Sequence, residues 1–360
     1  MKVIQIIPDL NLAGAERMCE ALTLALRDQG INVLVVSLRS VHTSITEKLE
    51  RAGFRIIYLS KKLGIDFSIF SKIYHLLKKE KPDVVHTHLY IMPYIIPVTL
   101  LLKVPVKVHT VHNIASKEQN FLGRFFSFFF FHLFKVQPVA LSDKIQATVC
   151  QTYLLKKEKV PIVLNGEDLS HFKVKASYEL HNPIRLLHIG RFAEQKNQIV
   201  IIEAVRNLTE QGYPLFVQLV GYNNTILGQE CRKAVERYNL NSVVQFVGTT
   251  DDVRPYLEKT DIFLLPSKFE GVPMTLIEAM ACGLPIIASK VGGIPDMLTD
   301  NESALLIEGN VNDLQQSIEK MVESDVLRQR LGQGAVARSR LFDSRIMAEK
   351  YRKIYEERLQ

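Results

Sequence analysis

Short runs rich in β-branched residues alternate with longer stretches of helical period along the whole of this 360-residue chain, and that rhythm restricts it to α/β architectures. In the first half the runs fall at 3–7, 32–37, 55–58, 84–86, 106–110, 139–141 and 162–164. The rhythm resumes at 185–189, 216–220, 244–247, 262–265, 285–289 and 304–307. Runs apolar on both faces suit parallel sheets covered by helices on both sides. Two doubly wound parallel sheets are therefore expected, joined through 165–183, where charged, Gly- and Pro-punctuated sequence breaks the periodicity. Such sheets bind ligands beyond the carboxyl ends of their strands, so two facing domains would offer a different wall of one cleft to each of two substrates. The last segment places Ile346, Met347, Tyr351, Ile354 and Tyr355 at helical spacing and predicts a helix with one buried stripe.

A chain of this length exceeds what one core usually serves, and its 47% hydrophobic and 23% charged residues describe a well-cored protein. Cys19, Cys150, Cys231 and Cys282 stand far apart with no C-x-x-C pair, which suggests neither a zinc knuckle nor a disulfide framework and suits a reducing cytoplasm. No apolar stretch has the length of a signal-peptide core or a membrane span, so a cytoplasmic location is expected. The net charge of +7 is unevenly spread: residues 1–175 carry 24 Lys and Arg against 14 Asp and Glu, the remainder 21 against 24. No zinc-finger spacing, RNP-type aromatic motif or Arg stripe accompanies the basic half, which argues against nucleic acid as a partner.

The strongest local signal is Ser267-Lys268-Phe269-Glu270-Gly271-Val272-Pro273-Met274-Thr275-Leu276-Ile277-Glu278. With Glu270 in the loop after a strand and Glu278 in the following helix, the carboxylates flank a helix start. Amides of Met274, Thr275 and Leu276 would point at a diphosphate, while the carboxylates accept bonds from hydroxyls on either side. That arrangement would hold a nucleoside-diphosphate sugar. Gly190-Arg191-Phe192-Ala193-Glu194-Gln195-Lys196 follows the first strand of the second half, so Arg191 and Lys196 would project from the same strand-end face and offset charge on a departing diphosphate. Near the amino terminus Ala13-Gly14-Ala15-Glu16-Arg17 opens a helix. Gly14 would permit close approach of a phosphate to the helix start, or serve only a tight turn.

Together these residues resemble glycosyltransferase family 4, whose fold is called GT-B, over nearly the whole chain. Glu270 to Glu278 is similar to the family's E-x-seven-E motif, and Gly190-Arg191 with Lys196 to its G-R-x-x-x-x-K element. Asn165-Gly166-Glu167-Asp168 resembles the stretch at the interdomain crossing, Ala140-Leu141-Ser142-Asp143 the element before it, and His112 the first-domain histidine that reaches the donor hexose. The resemblance implies a metal-independent, cofactor-free transfer that retains the donor's anomeric configuration. It implies that Glu278 holds the ribose, Glu270 the donor sugar, and Arg191 and Lys196 the diphosphate. Gly14 would admit that diphosphate, Gly271 would belong to the donor-binding set, and the Gly248-Thr249-Thr250 region would meet the base. It also implies a first domain over 1–172, a second over 173–341, and a terminal helix, 342–360, that packs back on the first. Pro273 departs from the glycine common at its place and removes a backbone donor there.

Two features stand outside the motifs. His86 and His88 lie at a strand end, where hydrogen bonding to backbone is expected in preference to metal binding, since no third ligand is near. Residues 120–135 hold eight of the 18 phenylalanines. A helix so aromatic requires either burial in the first domain or a lipidic neighbour, and its Arg124 and Lys135 flanks suit headgroups. The expected activity is transfer of a hexose or N-acetylhexosamine from a nucleotide sugar, expected to be UDP-linked, to a lipid-linked or polysaccharide acceptor, with attachment to the inner membrane face left open. The alternatives are a nucleotide-sugar epimerase of the same architecture and a non-catalytic assembly subunit.

Overall fold

The computed structural model describes residues 1–360, which divide into two compact units: Met1–Asp168 with Phe342–Gln360, and Leu169–Leu341. In the first, six strands run parallel: β1 (Lys2–Ile7), β2 (Asn32–Ser37), β3 (Ile56–Tyr58), β4 (Val84–His88), β5 (Val106–Val111) and β6 (Gln137–Ala140). Their order is β3-β2-β1-β4-β5-β6. The second unit contains β7 (Ile184–Ile189), β8 (Leu215–Val220), β9 (Val244–Gly248), β10 (Ile262–Leu265), β11 (Ile286–Ser289) and β12 (Leu305–Ile307), all parallel, in the order β12-β11-β10-β7-β8-β9. Read from its first strand outward, each sheet has the same doubly wound order, so each has a topological switch point: β1/β4 in one and β7/β10 in the other.

The inner strands are buried on both faces because helices cover both, while the edge strands β3 and β9 are half-buried. Ile4, Ile6, Leu34, Val36 and Val85 pack against Ile69, Ile73 and Ile95 in the first unit. In the second, Leu186, Val217, Leu219 and Leu264 meet Ile201, Val205, Ile318 and Met321. This explains why the strand runs lack polar alternation.

Two expectations are corrected. Residues 162–164 form no strand: Ile162 makes only an isolated parallel bridge to Ala140, closed by Ala140 N–H to Pro161 O and Val163 N–H to Ala140 O. Pro161 has no amide to extend a ladder there. In the terminal helix Ser344–Leu359 the buried stripe is Met347, Ala348, Tyr351, Ile354 and Tyr355, while Ile346 is exposed, because the packed face is centred one position further along.

The terminal helix is tied to the first sheet by its tyrosines. The Tyr355 hydroxyl lies 2.8 Å from His86 Nδ1, and the Tyr351 hydroxyl 2.7 Å from Thr110 Oγ1. The Thr110 hydroxyl in turn sits 2.7 Å from His86 Nε2. The Phe-rich segment forms the helix Phe121–His132, capped by Asn120, whose Oδ1 accepts from Gly123 N–H at 2.8 Å. It is buried along one edge only. Phe130 and Phe131 enter the core, whereas Phe121 (74% exposed), Phe125 (53%) and Phe126 (46%) do not. No helix is long and apolar enough to cross a membrane.

Candidate active site

In the second unit the chain leaves β7 through Gly190 and β10 through Pro266, the two strands of the switch point. Three adjacent strand ends approach one another closely through glycine. Gly190 N–H donates to Val220 O and Gly221 N–H to Gly248 O, and a methyl group on Gly221 would lie 2.3 Å from Gly190 O. The loop after β7 is then pinned by Asn197, whose left-handed backbone and amide bonds to Pro266 O (3.2 Å) and Gly309 O (3.1 Å) bring Gln195 and Lys196 beside the loop after β10.

Glu270 is the centre of that junction. Its Oε1 takes Lys196 Nζ at 2.6 Å and the Ser267 hydroxyl at 2.7 Å; its Oε2 takes Gln195 Nε2 at 3.3 Å. The carboxylate is 5% exposed and Lys196 remains partly open. Behind it the chain folds over the Glu270 backbone: Gly292 has φ +58°, and a methyl group there would lie 1.7 Å from Glu270 O. Gly293 N–H donates to Gly271 O at 3.1 Å. Arg191, from the same β7 loop, is exposed.

The helix Met274–Ala281 begins directly after this loop. Leu276 N–H is already committed to Pro273 O at 3.1 Å, which corrects the expectation that three amides face outward; Met274 and Thr275 are left as first-turn donors. Pro273 supplies the extended backbone that precedes the helix, with φ −70° and ψ 124°. The Thr275 hydroxyl is buried without a partner in the chain. Glu278 lies one turn further on and is buried. Gly248 and Thr250 sit at the end of β9, two strands from β7, where the Thr250 hydroxyl closes a turn with Asp252. The arrangement combines an exposed Arg, a partly open Lys, first-turn amides and two buried carboxylates at one strand-end face. That set suits an anion flanked by hydroxyl-bearing groups.

In the first unit Gly14 opens the helix Gly14–Asp28 with no side-chain cap. A methyl group on Gly14 would meet nothing within 4 Å, so no neighbouring atom of the protein demands glycine there. His112 follows β5. Its backbone N–H and that of Asn113 donate to Glu118 Oε2 at 2.7 and 2.9 Å, and its Nε2 lies 3.0 Å from His88 Nδ1. Burial pushes the His112 imidazole down to about 4 and holds His86 and His88 well below the usual histidine range. His86 and His88 bond to side chains instead of backbone: His86 to Tyr355 and Thr110, His88 to His112 and Gln5. Both ring nitrogens of each are engaged, which leaves neither a lone pair for a metal.

Gln195 and Ser267 lie within the stretches the sequence singled out but carried no assigned role there, and Gly292 and Gly293 lie outside them. The glycine pair at the end of a strand run was the one available signal.

Comparison with known proteins agrees in both halves. Residues 12–171 match the family model described as Glycosyltransferase Family 4, and residues 171–338 the model described as Glycosyl transferases group 1. The chain is 36% identical over 157 residues to the amylovoran biosynthesis glycosyltransferase AmsK of Erwinia amylovora, an alignment covering 41% of this chain and 38% of that one. It is 26% identical over 272 residues, 71% of this chain and 70% of the relative, to the UDP-Gal:alpha-D-GlcNAc-diphosphoundecaprenol alpha-1,3-galactosyltransferase of Escherichia coli. Among solved structures, Anabaena Alr3699/HepE in complex with UDP-glucose has the same fold, with a TM-score of 0.86 at 19% identity over 99% of this chain and all of that one.

Proposed function

This chain belongs to glycosyltransferase family 4, and from that premise we propose that it transfers a hexose or N-acetylhexosamine from a UDP-linked donor to a lipid-linked or polysaccharide acceptor in cell-surface glycan synthesis. The observation that carries this reading is the Glu270 carboxylate, buried beside Lys196 at a switch point and followed by a helix start whose first donors are Met274 and Thr275. The UDP assignment is supported by the E. coli relative and the Anabaena structure, whose descriptions name UDP-linked sugars.

In this reading the second unit holds the donor. Arg191, Lys196 and the Met274 and Thr275 amides take the diphosphate, with Gly271 allowing close approach. Glu278 takes the ribose hydroxyls, Glu270 the sugar, and the Gly248 to Thr250 turn the base. The family resemblance assigns His112 to the sugar and Gly14 to the diphosphate. The bond between the anomeric carbon and the diphosphate oxygen breaks as the acceptor hydroxyl attacks the same face. The acceptor's proton passes to the departing phosphate oxygen, whose charge Arg191 and Lys196 offset. The family pattern supports retention, and this pair of cations supports independence of metal. The acceptor is presented at a lipid surface. The exposed Phe121, Phe125 and Phe126 suit a lipid surface and support that step.

The experiment is a binding screen of UDP-, GDP- and ADP-sugars against the purified chain, with Arg191→Ala as control. A UDP-sugar that binds the wild type and not the variant supports the reading; binding of none sinks it, and conversion of a UDP-sugar without any acceptor would replace it with an epimerase. EDTA-treated protein should keep full transfer. Phe125→Ser with Phe126→Ser should release the folded protein from anionic vesicles.

A further inference from the structure

In the first unit a chain of buried side chains lets the proton positions be deduced from the heavy atoms. The Thr23 hydroxyl lies 2.7 Å from Cys19 O, and a carbonyl only accepts, so the single Thr23 proton is spent there. The Gln5 amide atom 2.8 Å from Thr23 Oγ1 must then be the donor, Nε2. That orients Gln5 Oε1 toward His88, whose Nε2 is 3.0 Å away. The Gln5 oxygen only accepts, so His88 Nε2 carries a proton. His88 is fully buried with no carboxylate among its hydrogen-bond partners, so it is neutral and its Nδ1 is bare. The burial of the ring, which holds it well below the usual histidine range, agrees. His112 Nε2, 3.0 Å from that bare nitrogen, must bring the proton of the pair.

We propose that His88 is a positioning residue for His112. The relay from Thr23 through Gln5 and His88 fixes His112 as the Nε2–H tautomer and leaves its Nδ1 as a bare lone pair, so that His112 meets a ligand only as a hydrogen-bond acceptor. Glu118 fixes the backbone of the same residue from the other side, through the His112 and Asn113 amides. A histidine held in this way selects a hydroxyl, which has a proton to give, over a phosphate or carbonyl oxygen, which has none. That the hydroxyl belongs to a sugar rests on the proposed function; the tautomer does not.

The test is a long-range proton–nitrogen correlation spectrum of the full chain labelled with 15N-histidine, with His112 assigned by its loss in His112→Gln. At neutral pH the His112 and His88 rings should each show a pyrrole-type Nε2 and a pyridine-type Nδ1. A protonated Nδ1 on His112, or the doubly protonated pattern, overturns the proposal. His88→Asn, which keeps an acceptor oxygen near the place of Nδ1, should preserve the His112 signature. His88→Leu should shift it toward a mixture of tautomers. An unchanged His112 signal in a folded His88→Leu protein overturns the positioning role. If His88→Leu does not fold, the wild-type and His88→Asn spectra decide. A correct tautomer in a protein that binds no nucleotide sugar would refute the proposed function and leave the relay standing.

Discussion

Replacing Lys196 by Met removes the only cation bonded to a carboxylate that is 5% exposed, and the consequence can be worked from the distances. At 2.6 Å the attraction is about 6 kcal/mol if the effective dielectric constant is about 20. Part of this is offset by the desolvation of Lys196, whose side chain keeps 17% of its exposure. The Ser267 and Gln195 bonds to Glu270 survive the substitution and soften the loss. Removing one partner of a buried pair typically costs 3–5 kcal/mol, and with the remaining bonds and the exposure of Lys196 we expect about 3 kcal/mol of destabilisation. Glu270→Gln in the Lys196→Met background should restore most of it, because the neutral amide no longer strands a charge. The assay is a double-mutant cycle on urea unfolding of the full chain, in which any contribution of the first unit cancels. A loss below about 0.5 kcal/mol for Lys196→Met, or no recovery in the double variant, would refute the view that this pair is buried and mutually dependent.

Gly292→Ala should lower the thermal midpoint and weaken donor binding together. The left-handed backbone alone costs about 1–2 kcal/mol, and the added methyl displaces the Glu270 carbonyl; wild-type behaviour in both measurements would contradict the loop geometry. Tyr355→Phe strands His86 Nδ1 in a fully buried site and should destabilise the first unit by about 1–3 kcal/mol, with faster proteolysis of 343–360 as the local readout. Acid should destabilise both units. His112 in the first and His188 in the second are held near 4, below the ordinary histidine value of about 6.5, so between those pH values the unfolded chain binds protons that the native chain does not. Stability is therefore full above about pH 6.5 and falls as pH drops toward about 4. Urea midpoints at pH 7 and pH 5 measure this, and equal midpoints would contradict it.

The sheets were legible in the sequence for a simple reason. A strand buried on both faces is expected to be apolar, and 262–265 is throughout, while 3–7 is interrupted only by Gln5, which is buried with its amide bonded to Thr23 and His88. Residues 162–164 have the same composition, yet Pro161 limits them to one bridge, a constraint that composition does not weigh. Within the site, Glu270 and Lys196 were legible because each carries charge at a strand end. Ser267 and Gln195 were not, since their importance lies in a meeting with Glu270 that for Gln195 spans 75 residues. The Leu276 amide was misjudged because its bond to Pro273 O depends on how tightly the first turn winds. The His88 relay was hidden for the same reason as Gln195: Gln5, Thr23, His88 and His112 come from four separate elements that only the sheet brings together.

The Tyr351 and Tyr355 contacts also bear on the order in which the protein matures on the ribosome. The partners of Thr110 and His86 are translated after every residue of the second unit. The second unit can therefore close while the first, begun earlier, still waits for the tyrosine partners of His86 and Thr110. A nascent chain stalled just before Phe342 should show a protease-resistant second unit beside a first unit that remains open to cleavage, reversing the amino-to-carboxyl order of folding usual for two-domain chains.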